Sequence, residues 1–484
     1  MNEEQARRLT LAATVLGSAL AFIDASVVVI ALPTIQRDLQ LGLTGEQWVF
    51  LSYSLALAAL YLPAGAVGDR GGRRETFMAG VAAFALASAL AGAAPTGSML
   101  IGARVLQGIA GAFVSTNSLA LLRETYGRDS GRAVGLWTAF TSVATVGGPP
   151  LGGIIVQSVS WRWIFFINLP LAAAAIVLAQ RGRCPQREQH RVGRLDLPGA
   201  ALAAIGFGAL TYGMVEGADR GFERYWWAFV ASGVALAGFT VVERRVREPM
   251  LPFDLFRRRN LAFANLETLL VYAALGGFFF YFTIYLQFLG FSPAAAGLAN
   301  VPGSVVMILL ASRFGRLADE HGPRLFLTVG PLVMGVGMLL FSFVGSRTDF
   351  WWYGVPGLGA FALGLSAVVA PITSTALSSA PERFSGIASG LNQTVARLGN
   401  LLAVAVIGFV VLVVFHANGG GLGVPLARGQ HDPQLRSASV DAFRVAMLVA
   451  AGLALAGGAV AGLGISNRDA KRVAAEPLQP RPGV

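Results

Sequence analysis

Gly65-Ala66-Val67-Gly68-Asp69-Arg70-Gly71-Gly72-Arg73-Arg74 and Gly315-Arg316-Leu317-Ala318-Asp319-Glu320-His321-Gly322-Pro323-Arg324 decide how this chain is built. Gly, Asp, Gly and Arg recur at the same offsets in the two stretches, 250 residues apart. Each stretch is a polar break between apolar runs of roughly 20 residues, the length that crosses about 30 Å of hydrocarbon. A repeat on this scale points to a duplicated unit.

Outward from these loops, the apolar runs form fourteen candidate spans. They cover roughly 10–32, 46–68, 76–95, 98–122, 133–157, 163–180, 197–215, 227–243, 261–287, 293–313, 325–345, 353–373, 385–415 and 441–465. Of 484 residues, 55% are hydrophobic and 13% charged, and the mean hydropathy is +0.62. A soluble domain carries roughly 25% charged residues, so composition excludes a chain built for water. Lipid admits only helices or a closed barrel. The runs are continuous rather than alternating, which selects helices and an all-α membrane protein. The 60 glycines suit close helix approach.

A single cysteine, Cys184, excludes an internal disulfide and a thiolate metal cluster. His190, His321, His416 and His431 fall in loops or at helix ends without metal spacing, so neither a metal nor a cofactor is expected. The net charge of +11 raises nucleic acid as a partner, but its placement argues for topology instead. With the N-terminus in the cytoplasm, 27 of the 37 Lys and Arg fall in cytoplasmic segments and 8 in outer loops; Arg104 and Arg397 lie within spans. That bias sets orientation and places both termini in the cytoplasm. Arg7 and Arg8 precede an apolar run of about 20 residues that contains Asp24, which reads as a retained first helix rather than a cleaved signal.

Both copies of the loop fall on the cytoplasmic side, so the repeats are parallel. The expected organisation is a six-helix half over 1–180, two inserted helices with their flanks over 181–259, a second six-helix half over 260–465 and a cytoplasmic tail over 466–484.

Two parallel six-helix halves joined to this loop motif resemble the major facilitator superfamily, and the details resemble its fourteen-helix drug:proton antiporter branch. The resemblance covers residues 10–465 and rests on several motifs in order. The first is the loop itself, where it implies a breakable cytoplasmic latch at Gly65, Asp69, Gly72 and Arg73, with Asp319 as the second copy. An acid at a helix start complements the dipole, and the neighbouring arginines can pair with acids or carbonyls of the other half. Pro323 stands where Arg73 would be matched, which weakens the second latch.

Asp24, in Asp24-Ala25-Ser26-Val27-Val28-Val29-Ile30-Ala31-Leu32-Pro33, resembles the branch's first-helix motif. A carboxylate inside a span is costly and is by default a functional candidate. Leu100-Ile101-Gly102-Ala103-Arg104-Val105-Leu106-Gln107-Gly108 resembles the fourth-helix motif used in proton coupling. Asp24 lies roughly 21 Å from the inner boundary and Arg104 roughly 9 Å from the outer one at 1.5 Å per residue, so both stand at about one level. A buried Arg needs such a partner.

Gly147-Gly148-Pro149-Pro150-Leu151-Gly152-Gly153 resembles the antiporter motif. It implies export through Gly148, Pro149, Gly152 and Gly153, where proline kinks the helix and glycine admits a facing helix. Trp161-Arg162-Trp163-Ile164-Phe165-Phe166-Ile167-Asn168-Leu169-Pro170 resembles a signature of the fourteen-helix branch and is read as structural.

Candidates for the substrate cavity are Gln107, Glu267, Tyr281, Tyr285, Asn392 and Arg397. Glu267 stands only about 9 Å from the inner face, within reach of water. The run Phe278–Phe282 is either a cavity wall or packing against lipid.

The resemblance implies a monomeric proton-coupled antiporter of the bacterial cytoplasmic membrane. Its partners are the bilayer, protons and an amphiphilic or drug-like small molecule, and no nucleic acid. The alternative on the same fold is an exporter of a lipid or an endogenous biosynthetic product, to which the long span 385–415 and the outer loop 417–440 would be suited. An intramembrane enzyme is disfavoured because no span holds His or Cys, and an importer because of the antiporter motif.

Overall fold

The computed structural model describes residues 3–127, 130–182, 197–246, 257–379, 385–421 and 423–467. Cys184, His190, the basic segment 183–196 and the tail from 468 lie outside the described residues, as does the side chain of Asp69. Among the described residues every regular element is helical. In chain order these are α1 (Glu3–Leu39), α2 (Leu43–Gly71), α3 (Arg73–Gly92), α4 (Gly97–Tyr126), α5 (Ser130–Ser158), α6 (Trp163–Phe166), α7 (Asn168–Arg181), α8 (Leu197–Arg220) and α9 (Phe222–Arg245). Then follow α10 (Arg259–Phe288), α11 (Pro293–Leu298), α12 (Val301–His321), α13 (Pro323–Phe341), α14 (Arg347–Asp349), a π-helical turn (Phe350–Gly354), α15 (Val355–Ser378), α16 (Ser385–Ala417) and α17 (Pro433–Gly464).

Helices occupy all fourteen expected positions. Among the described residues, twelve of these rods are long and apolar enough to cross a membrane. The other two positions hold α2 and α5, of 29 residues each. The first rod is much longer than its apolar run, because helix continues where hydropathy stops. In α1 the first turn carries Glu3 and Glu4, which favour the positive end of the dipole, and Arg7 Nη2 donates to Glu3 Oε1 at 2.7 Å one turn on. Hydropathy also misses breaks. The sixth span is α6 plus α7, and the tenth is α11 plus α12.

Tight turns join successive rods where glycine takes positive φ: Gly72 at 93°, Gly221 at 93° and Gly322 at 94°. A side chain is disfavoured in that region, so Gly72 and Gly322, 250 residues apart, make the same corner in the two halves. Other starts are capped by hydroxyls. Ser292 Oγ accepts from the Ala295 N–H at 3.2 Å, with Pro293 at the first position of α11.

The chain divides into two compact units. The first comprises Met1–Glu248, Phe279–Val301 and Val404–Phe443; the second comprises Pro249–Phe278, Pro302–Ala403 and Arg444–Val484. In the first, Leu20, Tyr53, Leu57, Phe77, Val81 and Phe84 belong to one buried core. In the second, Phe278 packs on Phe361 and Phe341 with centroids 4.3 and 5.1 Å apart. Exposed apolar residues such as Val234 on α9 and Leu309 on α12 present the kind of surface that lipid covers.

Candidate functional site

Asp24 lies midway along α1 and is buried, as are Arg104 and Gln107 of α4. Arg104 and Gln107 are one turn apart, so they share a face. Arg104 Nη1 forms an ion pair with Asp24 Oδ2 and donates to Gln107 Oε1 at 2.9 Å. Its Nε donates to the Val49 carbonyl of α2 at 3.1 Å, and its guanidinium lies over the Tyr53 ring, 4.3 Å from the centroid. Gln107 Nε2 donates to Asp24 Oδ1 at 3.1 Å.

Both carboxylate oxygens are therefore filled. That is the condition under which a buried ion pair is tolerated, since unmet charge in low dielectric is costly. Chemically, a proton placed on Asp24 changes the charge of this site by one and leaves Arg104 without its counter-ion.

The glycine-rich stretch of α5 lies between α1 and α11. A Cβ on Gly152 would stand 2.7 Å from Val27 Cγ1 and 3.2 Å from Val27 Cα. Gly148 abuts Ser26 in the same way. Gly153 faces α11, where a Cβ would meet the Pro293 carbonyl oxygen and Ala294 Cα, the latter at 2.8 Å. Gly297 of α11 abuts the Pro149 carbonyl in return. Glycine is thus required by close backbone approach on two sides of α5.

At the α2–α3 corner, the arginines bind helices of their own half. Arg73 Nη1 donates to Ala120 O at 3.2 Å and stands 3.7 Å from Glu124 Oε2, both on α4. Arg74 donates to the last carbonyls of α7, Ala179 and Gln180, at 2.7 and 2.9 Å. The corner is short, so these side chains meet the neighbouring helix ends first. Gly65 is looser: a Cβ there would stand 3.8 Å from Thr116 Cβ. Asp319, at the matching corner, is exposed; it stands in the last turn of α12, as Asp69 does in α2, rather than at a helix start, so the dipole does not favour either acid there.

The six cavity candidates fall in different places. Gln107 belongs to the Asp24 cluster. Tyr281 accepts from Gln47 Nε2 at 3.0 Å and donates to the Val404 carbonyl at 3.2 Å. Tyr285 stacks on Phe443 at 3.5 Å between centroids. Both rings are buried, as is every residue of the run Phe278–Phe282 except Phe279, so the run does not face lipid as a whole. Glu267 does not reach water. It is fully buried, and neither carboxylate oxygen has a hydrogen-bond partner among the described residues; neighbouring helices cover it although it is near a helix end. Asn392 Nδ2 donates to Thr268 Oγ1 at 2.8 Å. Arg397 is half-buried.

Sequence reasoning missed three polar participants. Gln47 joins α2 to α10 and α16 through Tyr281 and the Val404 carbonyl at 3.0 Å. Asn168 and Ser88 both enter the Asp24 cluster. Asn168 lies inside the Trp161–Pro170 signature, where an amide within a span is the signal; Ser88, among alanines, gives none. In that signature Trp161 is buried and donates to Asp38 Oδ2 at 3.0 Å, while Trp163 is exposed. No group of three or more His, Cys, Asp or Glu side chains that could hold a metal occurs among the described residues.

The family model of the Major Facilitator Superfamily matches residues 14–404. The chain is 35% identical over 410 residues to the multidrug resistance protein Stp of Mycobacterium tuberculosis (strain ATCC 25618 / H37Rv), covering 83% of this chain and 75% of that one. It is 34% identical over 416 residues to the tetracenomycin C resistance and export protein of Streptomyces glaucescens, with the same coverage. In fold it resembles a bacterial homologue of the human lysosomal transporter Spinster in its inward-facing, unoccupied conformation, with a TM-score of 0.69, 17% identity, and 98% and 99% of the two chains covered. The sequence match over 83% of the chain and the fold match over 98% of it agree, and this multi-pass membrane protein belongs to the Major Facilitator Superfamily of transporters.

Proposed function

We propose that this chain is a proton-coupled antiporter that exports amphiphilic, drug-like small molecules across the bacterial cytoplasmic membrane. It works as a monomer by alternating access, with both termini in the cytoplasm. The observation that carries the reading is the buried Asp24–Arg104 ion pair, a carboxylate able to bind and release a proton inside a span. Relatives named for multidrug and tetracenomycin C resistance supply the substrate class.

In the cycle, Asp24 takes a proton from the outside and gives it up to the cytoplasm. Arg104 is the counter-ion that the carboxylate gives up when it takes the proton. The contacts of Gly148, Gly152 and Gly153 with α1 and α11 close the path against leak. Arg73 and the Asp69 loop act as the latch between conformations. Among the six cavity candidates, Arg397 is half-buried where the other five are buried, and it is the one assigned to the substrate path.

Proteoliposomes test this with ethidium, puromycin and tetracenomycin C as probes. A proton gradient alone should drive accumulation of at least one, and an ionophore should abolish it. Accumulation no greater than in empty liposomes for all three would contradict the reading.

A further inference from the structure

Asn168 is the first residue of α7, after the break at Ile167 that separates α7 from α6. Its side chain is fully buried. Nδ2 donates to Asp24 Oδ1 at 3.3 Å and to Ser88 Oγ of α3 at 3.0 Å. Gln107 Nε2 bridges the same two oxygens, at 3.1 and 2.7 Å. Two amides thus span one carboxylate oxygen and one hydroxyl, forming a closed ring in which Ser88 anchors both donors.

Asn168 Oδ1, by contrast, has no hydrogen-bond partner among the described residues. A buried acceptor left unpaired is costly, so packing alone would favour an apolar residue here. What the position retains is a donor aimed at Asp24. The charged group facing Asp24 is Arg104 of α4, and the titratable Tyr53 of α2 lies against Arg104. α3 and α7 present the neutral Ser88 and Asn168.

We propose that Asn168, held by Ser88, is a positioning residue that sets the pH at which Asp24 exchanges its proton. The inference rests on the reading of Asp24 as proton carrier. A donor to a carboxylate stabilises its ionised form. Losing Asn168 should therefore let Asp24 keep its proton to higher pH, and losing Ser88 should act in the same direction more weakly because it frees both amides. Protonation of Oδ1 also displaces a donor from that oxygen, and the Asn168 bond is the longer of the two; the link from α1 to α7 would thus loosen as the proton arrives.

The test is an infrared pH titration of the reconstituted full-length protein. The Asp24 carboxyl band is identified by its loss in Asp24→Asn. Asn168→Leu should move the midpoint of that band upward by about one pH unit, the size expected for one hydrogen bond to a charged group. Ser88→Ala, which removes a single atom and serves if Asn168→Leu does not fold, should move it upward by less. An Asp24 band that titrates with the wild-type midpoint in either folded variant overturns the inference while leaving Asp24 as proton carrier. Absence of any titrating Asp24 band between about pH 4 and pH 10 in the wild type overturns both.

Discussion

Arg74 and Arg324, 250 residues apart, cap the last helix of their respective halves in the same manner. Arg74 Nε and Nη2 donate to Ala179 and Gln180 at the end of α7. Arg324 Nε and Nη2 both donate to Gly462 near the end of α17, at 3.0 and 2.6 Å. Each cation meets the carbonyl end of a helix, where the dipole favours it. Arg74→Ala should lower stability by about 1–2 kcal/mol, read as a lower thermal midpoint in detergent. Arg324→Ala should cost less, because Arg324 is exposed. The two lie in different units, so their effects should add.

This relationship also marks what was legible in the sequence. The 250-residue offset places Gly72 with Gly322 and Arg74 with Arg324, and the structure gives each pair one geometry. The offset is silent on partners, since which helix end lies beside a corner depends on packing of the whole half. Arg73 accordingly meets α4 of its own half, at Ala120 and Glu124. Depth arithmetic puts Asp24 and Arg104 at one level, and the structure pairs them, but arithmetic along an axis carries no rotation. The same gap hid Ser88, and it hid the burial of Tyr281, Tyr285 and Glu267. Hydropathy reports how apolar a residue's neighbours in sequence are, and these three are covered by neighbours in space.

Gly152→Leu should abolish export while leaving the protein inserted. Even the first carbon of that side chain would stand 2.7 Å from Val27 Cγ1, so α5 and α1 must separate. Cells carrying the variant should show wild-type membrane levels by immunoblot and the drug sensitivity of the empty strain. Normal resistance would count against a role for this contact in export.

The Gln47–Tyr281–Val404 seam should behave as a gate. Tyr281→Phe removes the hydroxyl that accepts from Gln47 and donates to Val404 O, a loss of about 1 kcal/mol per bond. Ser52 is buried in α2, five residues on from Gln47; with Cys184→Ser and Ser52→Cys as background, the new thiol should react faster with an external maleimide once Tyr281→Phe is added. An unchanged rate would show that the seam does not hold this region closed.

Reporter fusions check the topology. Fusions after residues 190, 250 and 470 should report the cytoplasm, and fusions near 220 and 430 the outside. If 220 and 250 report the same side, α8 and α9 are not a two-span insertion.

Coupling is assigned to Asp24 and Arg104. Arg104→Ala leaves Asp24 buried without its counter-ion, a loss of about 3–5 kcal/mol for a broken buried pair, and should shift the pH profile of transport upward. Asp24→Asn keeps size and hydrogen-bonding capacity but cannot carry a proton, so substrate binding should survive and proton-driven transport should not. Because the two residues form one network, the double variant should be no worse than the more defective single. The most direct measurement is pH-gradient-driven substrate accumulation in proteoliposomes containing Asp24→Asn. No accumulation above the equilibrium level is expected, with substrate counterflow retained. Accumulation of substrate against its gradient, with only a proton gradient supplied, would show that Asp24 is not the obligatory proton carrier.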